Sequence, residues 1–381
     1  MREVARIPLP PHGPDGEFDH AAVDFVGDRL YVAHPTNDAV EVVDLAARRH
    51  RGSLSGLRGV AGVWVDAESR LLFTSNRGED TASVFRLEGG EEEELFRVPT
   101  GARPNGMAFD PHRKVLMVAG VGTATGPGAP PTLTFIDVQH GNPLGQVRVP
   151  GRTRWALYHP RTDSFYVNIA DPPSIVTVRA GKFPPTPRCL PVAARGPHGL
   201  EQDLDKDLLY CACDEGVLVT IELPSSSARS VVPLSGAPDV LWLNRDLGHL
   251  YCAIGEPGVI DVFQLDPAHR TERAATAAGA HTLTVDPRRN EVHVFAPGSH
   301  EDIVLTDGPP DSERKDPSAP RARGPHESRI DPDPGGGPLE KESIAFAGAR
   351  TLRALERGHS PSCWPSSSRT EDTLRSRSGR P

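Results

Sequence analysis

Seven times in this chain an Asp, or a residue standing in its place, is followed seven residues later by an aromatic side chain, Met117 being the one exception. The pairs are Asp24/Tyr31, Asp66/Phe73, Asp110/Met117, His159/Tyr166, Asp203/Tyr210, Asn244/Tyr251 and Asp286/His293. Successive anchors fall 42, 44, 49, 44, 41 and 42 residues apart. A period of that length belongs to one four-stranded blade of a β-propeller. The expected fold is therefore all-β, a seven-bladed propeller.

Each unit supplies four short segments rich in β-forming residues. An apolar run such as Gly62-Val63-Trp64-Val65 precedes the anchor, and a polar turn such as Pro111-His112-Arg113-Lys114 follows it. The second strand carries the aromatic, as in Leu209-Tyr210-Cys211-Ala212. A third follows, as in Val40-Glu41-Val42-Val43, and a fourth ends near a Pro, as in Val98-Pro99. Proline suits an outer edge strand, which has fewer ladder bonds to lose. The seventh unit stops after three strands, and Val4-Ala5-Arg6-Ile7-Pro8 matches the missing fourth. The N-terminal strand is thus expected to close the ring and remove an open edge.

The strand-two segments, of which Phe73-Thr74-Ser75-Asn76 is the closest copy, resemble the motif of the YVTN-repeat, YncE-like propellers, members of the wider WD40-like repeat superfamily. The resemblance covers roughly residues 3 to 307. It implies a binding scaffold or, as in lactonase-type relatives, a hydrolytic enzyme.

The propeller is expected over residues 1–307. From Gly308 to Pro381 the chain turns to Pro, Gly, Ser and Arg, a composition that reads as a disordered tail with a possible short helix over 339–357. Residues 1–20 hold no apolar stretch of signal-peptide length, so a cytoplasmic protein is expected. An upstream leader would instead make it an exported one. No membrane association and a monomeric state are expected. The net charge of -9 argues against bulk nucleic-acid binding. Three of the five cysteines, Cys211, Cys213 and Cys252, fall in or just after strand two and read as small core residues, with no disulfide framework expected.

Strand one of each blade begins at the central channel, so the residue five before each anchor should face one small mouth. Those residues are Asp19, Ala61, Asn105, Arg154, His198, Asp239 and His281. The register selects Asp19 in preference to its neighbour His20. The expected ligand-binding set is Asn105, Arg154, Trp155, His198, Asp239 and His281. Arg154 would hold a carboxylate or phosphate, Trp155 would stack on the ligand, and Arg103 would approach the same face. His198, Asp239, His281 and Asp19 form a candidate metal set. Imidazole and carboxylate donors suit Zn²⁺ or Mn²⁺, and less well Ca²⁺. His34, Asn76 and Asp214 follow strand two and are expected at the opposite end of the channel or on an outer loop. No Gly-x-Ser-x-Gly elbow and no phosphate-binding glycine loop accompanies a helix pattern. The expected function is a binding scaffold for a partner protein or a small polar ligand. The alternative is a metal-dependent hydrolase or lyase at the same mouth.

Overall fold

The structure, a computed structural model, describes residues 1–123, 128–183, 185–223 and 225–308. The expected tail and its helix over 339–357 lie outside the described residues. Seven antiparallel four-stranded sheets form the blades, six of them from strands consecutive in sequence. The seventh takes Leu283–Asp286, Glu291–Ala296 and Glu301–Thr306 from one end of the chain and Arg2–Pro8 from the other. Arg2 pairs with Thr306 and Pro8 with Glu301, so the N-terminal strand closes the ring as expected.

The repeating anchor is a turn cap. In all seven blades its side chain accepts a backbone N–H from the turn that follows strand one. Asp24 takes that of Val26, Asp66 that of Ser69, Asp110 those of His112 and Arg113, and Asp203 that of Asp205. Asn244 takes that of Leu247 and Asp286 that of Arg288. His159 can replace a carboxylate because its Nδ1 accepts the N–H of Thr162 at 3.2 Å. Four residues after each anchor the backbone turns left-handed, at Asp28, Arg70, Lys114, Asp163, Asp207, Gly248 and Asn290. Small polar residues tolerate that conformation better than branched ones. The aromatic seven residues on pairs across the hairpin with the residue two before the anchor, as Tyr31 does with Ala22 and Phe73 with Trp64.

These turns also clasp one another around the ring. Arg70 pairs with Asp24, Lys114 with Ser69, Arg113 with Asp163, Arg161 with Asp207, Asn244 with Asn290 and Arg289 with Asp28. Lys206 of blade five reaches Asp266 of blade six. Every blade is therefore tied polar-fashion to the next, although each exposed pair contributes little alone. The core lies between blades, where Tyr31, Phe73, Phe135, Phe165, Tyr210, Tyr251 and Phe295 are all buried. Cys211, Cys213 and Cys252 are buried free thiols in these layers, as expected. Among the described residues no helix is long and apolar enough to cross a membrane.

Candidate functional site

Strand one is irregular where it starts. In blades three, four and five the pairing with strand two shifts between Pro104 and Met107, Thr153 and Ala156, and Pro197 and Leu200. Blade one shows what the irregularity does. Asp19 N–H donates to the Ala33 carbonyl and Ala33 N–H donates to the His20 carbonyl, so two residues oppose one. Asp239 and Val240 oppose Ala253 in the same way. Such bulges re-aim side chains that strict alternation would send to opposite faces.

The bulges crowd the neighbouring strand, and glycine relieves the crowding. A Cβ added at Gly62 would lie 2.3 Å from the Asn105 carbonyl oxygen, one at Gly106 2.5 Å from that of Arg154, and one at Gly199 2.6 Å from that of Asp239. Each glycine thus seats the mouth residue of the next blade. The strand-two motif does the same work with hydrogen bonds. Ser75 Oγ donates to the Asn105 carbonyl at 2.7 Å, and Asn168 Nδ2 donates to that of His198 at 2.9 Å. Gly106→Ala is expected to displace Arg154 and to lower stability by about 1–3 kcal/mol, the usual range for overpacking, read by urea unfolding.

The result is a cavity of about 300 Å³ at the channel mouth, lined by Glu17, Asp19, His20, Arg77, Asn105, Arg152, Arg154, Trp155, His198, Asp239 and His281. Of the seven positions five before an anchor, all but Ala61 line it, and so does Trp155. His20 lines it too, which corrects the choice of Asp19 alone; the bulge turns both side chains inward. The expectation for Asp214 is also overturned. Strands one and two are antiparallel, so residues just after strand two lie beside the start of strand one. Asp214 accordingly sits 2.7 Å from His198, and Arg77, which follows strand two of blade two, reaches the mouth. His34 and Asn76 turn into their blades instead, His34 onto Glu41 and Asn76 onto Thr81 and Ser83. Arg103 is absent from the lining, and its backbone N–H donates to Asp80.

His198 is the hub. Its Nδ1 lies 2.7 Å from Asp214 Oδ1 and its Nε2 3.0 Å from Asp239 Oδ1. Burial opposes a charge there, but the field and hydrogen bond of Asp239 and the hydrogen bond of Asp214 outweigh it, and the pKa is pushed up to about 9. The protonated ring donates to both carboxylates. Arg154 Nη1, 3.0 Å from His198 Nε2, then faces a donor and makes no hydrogen bond with it. Its other nitrogen is 3.6 Å from Asp214. Burial alone would raise the Asp239 pKa, but His198 and then His281 hold it well below the carboxylate range. His281, whose Nε2 is 3.8 Å from Asp239, is raised because Asp239 and the Gly279 carbonyl overcome its burial. His20 goes the other way, lowered chiefly by burial, and stacks on Trp155 with ring centres 4.2 Å apart. Across the cavity Arg77 bonds Asn105 Oδ1 at 2.8 Å and Asp19 at 3.2 Å.

The proposed metal ligands are therefore engaged with one another or with arginine. Among the described residues no group of three or more His, Cys, Asp or Glu side chains is disposed to hold a metal ion. Zn²⁺, Mn²⁺ or Ca²⁺ at Asp19, His198, Asp239 and His281 would require these pairs to part. Sequence reasoning missed Glu17, Arg77, Arg152 and Asp214. Glu17 and Arg152 precede mouth residues by two positions, and Arg77 and Asp214 both stand eleven after an anchor, so the same ruler could have found them.

Fold and mouth define a seven-bladed propeller with a charge-rich cavity at one end of its channel. The family described as "Lactonase, 7-bladed beta-propeller" matches this chain over residues 20–124. No curated protein sequence matches. A chain of Kuenenia stuttgartiensis hydrazine synthase superposes with a TM-score of 0.64 at 13% identity, covering 76% of this chain and 95% of that one. A chain of the mitotic checkpoint complex gives 0.65 at 11%, covering 80% and 92%. A protein from Desulfotomaculum acetoxidans, described as functionally unknown, gives 0.64 at 9%, covering 73% and 92%. At these identities the likeness concerns the fold alone.

Proposed function

We propose that this chain is a YncE-like binding propeller, acting as a cytoplasmic monomer, whose channel mouth takes a small polar ligand bearing a carboxylate or phosphate. The observation that carries this is the convergence of three guanidinium groups, Arg77, Arg152 and Arg154, on one cavity. Arg152 forms no ion pair or side-chain hydrogen bond among the described residues. Burial first, then the like charges of Arg154 and Arg77, lower its pKa. An anion in the cavity relieves that repulsion and meets planar donors suited to bidentate contact. Arg154, whose one ion pair among the described residues is a long one to Asp214 at 3.6 Å, has N–H groups left to join. Calorimetric titration with inorganic phosphate and with succinate tests this. Arg152→Ala and Arg154→Ala should each weaken binding of at least one probe about tenfold or more, the scale of a lost charge-assisted bond. Binding of neither probe, or affinities unchanged in both variants, would refute it.

The match to the lactonase family over residues 20–124 favours a second reading, a hydrolase or lyase at the same mouth. There His198, held protonated between two carboxylates, would donate a proton to a leaving or carbonyl oxygen while Arg154 holds the anionic group. Turnover of a carboxylated lactone that disappears in His198→Gln would support this reading. Turnover unaffected by that change would count against it.

A further inference from the structure

Deeper along strand one of blades two to six lies a second cavity, of about 140 Å³, whose lining includes Trp64, Trp155, Leu200, Glu201, Gln202 and Trp242. Trp155 lines the mouth as well, so the two spaces adjoin across its side chain. The chamber is walled by three of the chain's four tryptophans. Yet it is not simply apolar. Trp155 Nε1, Trp242 Nε1 and Gln202 Oε1 are buried with no hydrogen-bond partner among the described residues. Buried donors and acceptors of this kind are rare in folded proteins, because each costs roughly 1–3 kcal/mol while unmet. Glu201, half-buried, lines the chamber beside them, and loss of solvent around its carboxyl above all pushes its pKa up to about 7.

We propose that this chamber receives a single planar ring of the ligand, and that an acceptor on the ring or its substituent meets the indole N–H groups. The ligand class is then a small aromatic acid, its ring in the chamber and its carboxylate or phosphate at the mouth. The assignment of the acid group rests on the anion-binding reading of the mouth; the ring site does not. Size supports the match, since an engineered apolar cavity of about 150 Å³ in another protein takes up benzene. The aromatic walls offer stacking and edge contacts to a ring, and a flexible aliphatic chain would use neither the flat faces nor the unmet donors.

The test titrates the full chain with benzamide, which has a ring and an uncharged acceptor, with benzoate and 3-phenylpropionate, which add a carboxylate at two reaches, and with acetate. Tryptophan fluorescence and calorimetry give the readout. Benzamide should bind, and at least one aromatic acid should bind about tenfold or more tighter than acetate. Trp242→Phe keeps an aromatic wall and removes the N–H, so it should weaken benzamide about fivefold, the worth of one hydrogen bond. Trp242→Leu should weaken it further, with unchanged melting temperature as the check on folding. Arg154→Ala should weaken only the acids. Failure of benzamide to bind, or binding indifferent to both Trp242 variants, overturns the ring site even if acetate still depends on Arg154. Benzamide binding that follows Trp242 while the acids ignore Arg154 keeps the ring site and removes the acid assignment.

Discussion

Deleting Arg2–Leu9 is expected to unfold the ring or drive it into oligomers. Ile7 and Leu9 are buried between blades seven and one, and their loss alone removes about 3–6 kcal/mol of burial free energy. The deletion also strips the partner from Glu301–Thr306, whose Ile303, Val304 and Leu305 are buried, and leaves a bare edge open to another chain. Light scattering coupled to gel filtration should show large species, and the thermal transition should fall sharply or lose cooperativity. Because Arg2 pairs with Thr306, Asp307-Gly308 can serve as a two-residue hairpin loop of a favoured composition. A permuted chain that starts at Pro10 and runs from Asp307-Gly308 directly into Arg2 should therefore recover both transition and size. A deletion variant that melts like the parent would show that closure carries no stability.

Asp239→Asn is expected to lower the His198 pKa by about two units or more, since it removes the largest influence that opposes burial there. The sign for stability follows from the raised value. His198 titrates near 9 in the folded chain against roughly 6.5 when unfolded, so its contribution is complete below pH ~6.5 and is lost as pH rises through about 9. The amount is on the order of 3 kcal/mol, shared between His198 and its carboxylate partners and counted once. The parent should lose melting temperature between pH 6.5 and 9.5, and Asp239→Asn should flatten that dependence. A nitrogen-detected NMR titration of His198 reads the pKa directly. An unmoved pKa in Asp239→Asn would show that Asp214 alone holds the proton.

Much of the architecture could be read from residue spacing because it depends on local chemistry. An Asp, Asn or His that caps a turn must lie a fixed number of residues before the aromatic on the returning strand, whatever surrounds them. The same register located Asp19, Asn105, Arg154, His198, Asp239 and His281 at the mouth, since strand one of every blade begins at the channel. The ring closure was legible for a related reason: a blade with three strands lacks a partner for its last one, and Val4–Pro8 had the matching pattern.

Where the reading failed, it failed on side-chain direction and on neighbours from other blades. Alternation assigns Asp19 and His20 opposite faces, whereas the bulge opposite Ala33 turns both inward. Asp214 and Arg77 were misplaced or missed because a hairpin returns the chain to its starting end, bringing residues far apart in sequence beside His198 and Asn105.

The sequence by itself determined the blade count, the spacing of anchor and aromatic, the closing strand and most of the positions that reach the channel, all consequences of short-range geometry repeated seven times. Only the tertiary structure decided that His198 lies between two carboxylates that raise its pKa, that Arg152 has no ion pair among the described residues, and that three tryptophans line a chamber. Those properties arise from fields, burial and contacts summed over several blades at once, and no single repeat contains them.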